Sequence, residues 1–373
     1  MKMKKKVLAT LGLMASAAFV MAGCTVGDTG TTGGDQGAGG GESSSNAVFG
    51  PSQQIELFEM IDKVDASMEG KRVVFVPILF AGYTLIENWY QSIYLTLTAQ
   101  GAEVSVIDPN FDTDALVKAV DDVIAKKSAD ILIVQNPDVG VLQNQIQAAA
   151  DAGIYTILMN MASNTMGDAL IAANQFQAGK DIAERVIADC EAAGGGKAIQ
   201  LIYGPGNDAV SMQWENAIRE VVEPAGFTVR TTSTAWQQSE AQEAASNAIQ
   251  QYKGELCAIM PAFDLNSIPV GDEVAAAVAR GDLAPGEVGV YTFGGDALWC
   301  DSLRAGKVTA TAAYSVDGLG TAAAAMAQAL VQRGEPAGST PTVAWVPHTI
   351  VDATNVDQVS FACYQGLAPG VLD

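Results

Sequence analysis

The residue types that carry most enzyme and metal chemistry are scarce in this chain. Its 373 residues include five cysteines and a single histidine. Cys190, Cys257, Cys300 and Cys363 lie far apart and form no C-x-x-C pair, so neither a zinc site nor a dithiol redox centre is expected. An oxidising compartment would let them pair as disulfides, with partners that spacing alone does not assign. His348 excludes a histidine metal cluster and argues against a histidine-based catalytic triad. It reads as a polar residue on a late strand or turn. One glycine-rich turn, GPGNDA at 204–209, follows an apolar run and opens a helical one. It matches the dinucleotide fingerprint GxGxxA loosely, but a lone match is weak and Pro205 stiffens the turn. No cofactor, no metal and no enzymatic activity are expected. The chemistry left is binding.

The elements that would position a binding site are legible. Short apolar runs fall at 72–79, 103–108, 130–135 and 154–159, and again at 197–203, 227–233, 256–260 and 288–293. Helical stretches lie between them, with apolar residues recurring at three and four positions. Strand starts are spaced by one βα unit in both halves. Near-continuous apolar strands covered by helices imply parallel sheets buried on both faces. Two such blocks in series imply an α/β fold of two doubly wound lobes. Ligands of open parallel sheets sit beyond the carboxyl ends of the strands. The segments to read are therefore 79–84, 135–138, 160–164, 204–208, 234–237, 261–264 and 294–296.

The first residues set the compartment. Lys2, Lys4, Lys5 and Lys6 precede an apolar run at 7–22, the layout of a secretory leader over 1–23. Met21-Ala22-Gly23-Cys24 resembles the lipobox of bacterial lipoproteins, which implies acylation of Cys24 after cleavage. Residues 24–50 then comprise the anchor and a Gly/Ser/Thr tether, too poor in apolar side chains to fold and able to span roughly 28 Å. Formal net charge is −22, and removing the four leader lysines brings it to −26. So acidic a body is repelled by nucleic acid and by anionic lipid. No nucleic-acid partner is expected, and membrane contact is expected through the N-terminal lipid only. The expected location is outside the cytoplasm, on the outer face of the cell membrane or its periplasmic side.

From about Lys71 onward the chain resembles the type I periplasmic solute-binding proteins of the ribose- and galactose-binding branch. VIDPNFDTDALVKAVDDVIAKKSADILIVQNPD, AGIYTILMN, IAANQFQAGKDIAERV, RAGKVTATAAYSVDGLGTAAAAMAQAL and TIVDATNVD carry the likeness in order. The resemblance implies two lobes joined by a three-strand hinge, with crossings near 173–175, 314–315 and 344–346. It implies an N-terminal lobe of 71–174 plus 315–345 and a C-terminal lobe of 175–314 plus 346–373. Residues 51–70 lie before it as an extra leading helix. It further implies capture of one small molecule by cleft closure and delivery to the permease subunits of an ABC importer. A sensory protein presenting its closed form to a membrane receptor is the other reading.

The same likeness points to site residues. Asn160-Met161 stand where the family often has Asp-Arg, and Trp214 where it often has an arginine. Trp236 matches a usual aromatic. Phe263-Asp264 replace Asn-Asp, Gly294 replaces a ligand carboxylate with Asp296 two residues on, Tyr314 replaces a glutamine and Gln135 an asparagine. Tyr83 is the candidate of the first loop, beside Phe80, Glu87 and Asn88. Thr84 and Glu87 also form a T-x-x-E capping box. Asp264 has two readings, helix cap and ligand contact, while Trp89, Tyr90 and Trp299 read as core. Aromatic faces stack on planar groups and attract cations, and buried hydroxyls need partners. The expectation is therefore a flat, poorly hydroxylated or cationic ligand, such as a nucleobase, nucleoside, aromatic metabolite or quaternary amine. A sugar is the alternative.

Overall fold

The computed structural model describes residues 56–363. The leader, Cys24, the tether and the last ten residues lie outside the described residues. A first helix, α1 (Leu57–Asp65), precedes the sheets and buries none of its residues. The first sheet is built from β1 (Arg72–Val76), β2 (Glu103–Val106), β3 (Ile131–Val134), β4 (Tyr155–Met159) and β5 (Ala169–Ala173). Their connecting helices are α2 (Thr84–Thr98), α3 (Thr113–Lys126) and α4 (Gln143–Asp151). The second half repeats the plan. It contains α5 (Gln175–Ala193), β6 (Ala198–Tyr203), α6 (Ala209–Val222), β7 (Thr228–Ser233), α7 (Gln238–Gln251), β8 (Leu256–Pro261), α8 (Asp264–Arg280) and β9 (Gly289–Gly294). A 3₁₀ turn (Ala297–Trp299) and α9 (Cys300–Arg304) lead into β10 (Ala310–Tyr314), α10 (Val316–Arg333), β11 (Thr342–Val346) and β12 (His348–Asp352).

Strand order is β11-β5-β4-β3-β1-β2 in one sheet and β12-β10-β9-β8-β6-β7 in the other. Every pairing is parallel except β10 with β12. The strands read as continuous apolar runs because both faces are covered; all four residues of β3 are buried. Each fully buried Leu, Ile or Val contributes roughly 1.5–3 kcal/mol. On α2, Leu85, Ile86, Trp89, Tyr90, Ile93 and Leu97 make one buried face. It meets α10 where Gly320 stands, and a Cβ there would lie 2.5 Å from the Trp89 carbonyl oxygen. Only a glycine allows that approach.

The chain passes between the sheets three times. The first passage joins β5 to α5, where the Asn174 side chain accepts from the Gln177 amide at 2.9 Å. The second joins β10 to α10, with Ser315 accepting from Gly318 at 3.1 Å. The third falls at Pro347, between β11 and β12. Residues 344–346, expected to cross, instead stay in the first sheet, with Val346 paired to Ala173. Proline has no amide to extend that ladder. His348 opens β12 and bonds Asp181 at 2.7 Å. Two disulfides, Cys190–Cys257 and Cys300–Cys363, staple the second lobe, with Cα separations of 5.9 and 5.7 Å. Among the described residues no helix is long and apolar enough to cross a membrane.

Candidate functional site

The carboxyl ends of both sheets meet at a cleft whose walls touch. The Val139 amide, after β3, donates to the Asn207 carbonyl, after β6, at 3.1 Å. The Asn207 side-chain amide donates to Asp138 beside it. Inside this clasp lies a small chamber, opening to a mouth lined by Pro137, Asp138, Pro205 and Asn207.

The first lobe lines the chamber with Tyr83, Gln135, Asn160 and Met161, the second with Trp236 and Phe263, and Tyr314 stands at the second passage. Trp236 is aimed by its backbone, at φ 62°, and by Gly204 beneath it, where a Cβ would fall 1.9 Å from the indole ring. Its ring meets Phe263 edge-on at 6.0 Å, and Phe263 reaches across the cleft to Tyr83 at 5.7 Å. Asn160, at φ 63°, is tied to the first passage. The Gln175 side-chain amide donates to its Oδ1 at 3.1 Å and to its carbonyl at 3.0 Å. The Gln135 side-chain oxygen, Oε1, accepts from the Ile78 amide at 3.1 Å. Among the described residues no charged side chain lines this chamber, and no cluster could hold a metal.

Three expected site residues lie elsewhere. Trp214 is fully buried in α6, with its ring 6.0 Å from Phe293 and its edge against Gly179. It is the sixth residue of that helix and faces the sheet; Val210, near the helix start, is the residue that lines the chamber. Asp264 is fully buried behind Gly294. Its carboxylate accepts from the Leu265 amide at 2.9 Å and the Asp296 amide at 2.7 Å, so it ties two strand ends together. Asp296 is buried next to it and accepts from Leu298 at 2.9 Å. Burial pushes the Asp264 carboxyl well above the usual range, and the neighbouring Asp296 adds to the shift; burial raises Asp296 too. Burial, then the two acids, hold the Tyr83 and Tyr314 phenols well above their ordinary value, so both remain neutral donors.

The Thr84–Glu87 box does not form. Tyr83 is the residue before α2, and Glu87 reaches back to the Gly82 amide at 2.8 Å. The GPGNDA turn holds no free phosphate cradle, because the Asp208 carboxylate accepts the Ser211 amide at 2.8 Å at the start of α6. Sequence reasoning missed Trp89, Phe293 and Val210 on the chamber wall. Only Val210 carried a usable signal, its place one residue into a helix that follows a strand end.

A family profile described as periplasmic binding protein domain matches residues 73–336. Among solved structures, a periplasmic ribose ABC transporter protein from Conexibacter woesei is 19% identical at a TM-score of 0.66, over 79% of this chain and 96% of that one. A solute-binding protein from Agrobacterium vitis with bound allitol is 19% identical at 0.68, over 79% and 99%. A Caulobacter myo-inositol binding protein is 16% identical at 0.67, over 79% and 96%. No curated protein matches the chain in sequence. The profile spans most of both lobes, and the chain belongs to the periplasmic binding protein domain family, whose members bind solutes rather than transform them.

Proposed function

We propose that this chain is the solute-binding component of an ABC importer, working outside the cytoplasm and tethered through Cys24. It captures one small neutral solute by closing its lobes. The observation that carries this reading is a single chamber walled by both lobes, Tyr83, Gln135 and Asn160 on one side and Trp236 and Phe263 on the other. A ligand touching both walls favours the closed arrangement by its differential contacts.

The ribose, allitol and myo-inositol named for like-folded proteins support a sugar or polyol as ligand. That class takes precedence over the aromatic or cationic solute expected from the residue types. One observation keeps the second reading alive: the chamber lining offers aromatic rings and two amides but no charged side chain. Each hydroxyl buried without a partner costs about 1–3 kcal/mol, so these walls favour a solute with few hydroxyls.

A thermal-shift screen of sugars, polyols, nucleosides, nucleobases and amines tests both readings. A ligand at a hundredfold excess over its Kd stabilises by about 2.7 kcal/mol. Shifts confined to sugars and polyols establish the first reading, and shifts confined to flat or cationic solutes establish the second. No shift with any class overturns solute capture.

A further inference from the structure

The first helix carries its apolar side to solvent. At about 100° per residue, Leu57, Phe58, Met60, Ile61 and Val64 of α1 share an arc of about 160°. Glu59, Asp62 and Lys63 fill the opposite arc, and Asp65, the last residue, shares the apolar one. A helix so patterned normally buries its apolar arc, yet α1 buries none of its residues. Its two half-buried residues are Lys63 and Val64, and Lys63 borders a surface hollow with Lys71, Asp130 and Tyr155 of the first lobe. Leu57 is 59% exposed, Phe58 78%, Met60 38% and Ile61 40%. These are four of the eleven large apolar side chains exposed among the described residues, gathered within five positions. Such clustering marks a surface that is covered in use. A helix of nine residues is also marginal by itself in water, so a partner for this face stabilises it.

We propose that α1 lies in the lipid–water interface of the membrane that holds Cys24, with Leu57, Phe58 and Ile61 set among the lipid headgroups. This inference rests on the anchor reading and goes beyond it, since it gives the folded body a membrane contact of its own. The tether expected over residues 24–50 leads to this helix, so α1 is the described element nearest in the chain to the lipid. A tether span of roughly 28 Å keeps α1 at an effective concentration on the order of millimolar at the surface. A helix too short and too acidic to bind a membrane alone is held there once the acyl chains have carried it in. Charge selects the occupant. Glu56, Glu59, Asp62 and Asp65 outnumber Lys63, which is already paired to Glu59 at 3.2 Å. Two copies of this helix face to face set like charges together, and an anionic surface repels it. An electrically neutral lipid surface opposes it least, with Glu59 and Asp62 turned to water. Docking shortens the leash to residues 66–71, between α1 and β1, and holds the first lobe close to the membrane.

The test follows amide hydrogen exchange across residues 57–65 of the mature, full-length protein on phosphatidylcholine vesicles, with flotation reporting the anchor. Exchange is expected to slow about tenfold relative to the Cys24→Ser protein mixed with the same vesicles, the change expected from covering one exposed phenylalanine. The double variant Phe58→Glu, Ile61→Glu is expected to float as before, to keep its melting temperature without vesicles, and to lose the protection. The wild-type comparison stands even where that variant fails to fold. Flotation with exchange in α1 unchanged overturns the docked helix and leaves the anchor intact. Protection that persists without vesicles and grows with protein concentration overturns the lipid as occupant and assigns the face to a second copy. A mature protein that carries no lipid at Cys24 and does not float overturns the anchor reading and this inference together.

Discussion

Replacing Asp208 by asparagine removes a pH dependence that the structure assigns to one buried carboxyl group. Asp208 is fully buried at the start of α6, where Oδ1 accepts the Ser211 amide at 2.8 Å and Oδ2 the Ser211 hydroxyl at 2.6 Å. Desolvation outweighs these bonds and lifts its pKa from 3.8 to about 6, with the negative Asp138 at the cleft mouth adding to the rise. The unfolded chain titrates near the lower value, so between the two the native state binds more protons. Stability is therefore fully present below the unfolded pKa and is lost as pH rises toward 6. A shift of about two units corresponds to about 3 kcal/mol. Asparagine keeps an acceptor for the Ser211 amide and has no proton to lose.

Urea unfolding of both proteins at pH 4, 5, 6 and 7 measures the effect. The variant is expected to gain about 2.4 kcal/mol relative to the wild type between pH 4 and pH 7, with most of the gain complete by pH 6. The other buried acids, Asp168, Asp264 and Asp296, titrate alike in both proteins and cancel in the difference. Two stability profiles that run parallel to within about 0.5 kcal/mol refute the reasoning, because desolvation would then not govern this carboxyl.

Three further outcomes follow from the same geometry. Trp236→Ala removes a wall of the chamber and is expected to weaken the ligand found by screening by about 2 kcal/mol, roughly thirtyfold in Kd; calorimetric titration measures it, and unchanged affinity disproves the assignment of that wall. Cys257→Ala opens a loop of 67 residues and is expected to cost about 4 kcal/mol on a chain-entropy estimate, read as a lower urea midpoint that added reductant does not lower further through this pair. Cys24→Ser is expected to move the protein from the membrane fraction to the soluble one; retention on membranes would rule out the lipid anchor.

The sheets were legible because their strands are buried on both faces and so read as unbroken apolar runs, as at Ile131–Val134. Strand β5 was harder: Ala-Leu-Ile-Ala-Ala lacks β-branched weight and read only as part of a crossover. Strand β11 alternates in exposure, so it had no buried run to mark its end, and the crossing was set too early. The disulfide partners depend on which helix packs over which strand, since Cys190 lies on α5 and Cys257 on β8. On the chamber wall, residues just past strand ends were readable because topology puts them there. Trp89 was not, because a tryptophan at helical spacing in an apolar stripe carries the same sequence signal whether it faces a sheet or a cavity. Trp214 failed in the opposite direction, since an offset of a few residues along α6 turns a cleft residue into a core one.

Two glycines explain why residue types alone misjudge this cleft. Gly294 read as the loss of a ligand carboxylate, but a Cβ there would lie 2.2 Å from Asp264 Cγ and Oδ2. The missing side chain makes room for an acid supplied by the neighbouring strand end, held behind the wall. Gly204 does the same for Trp236, whose ring fills the space a side chain would need. The chamber surface is thus determined by what each glycine admits from next door. Its lining carries no charge, and burial, reinforced by the two buried acids, keeps the Tyr83 and Tyr314 phenols protonated as hydrogen-bond donors. Neutral donors beside aromatic faces match a neutral, oxygen-bearing solute.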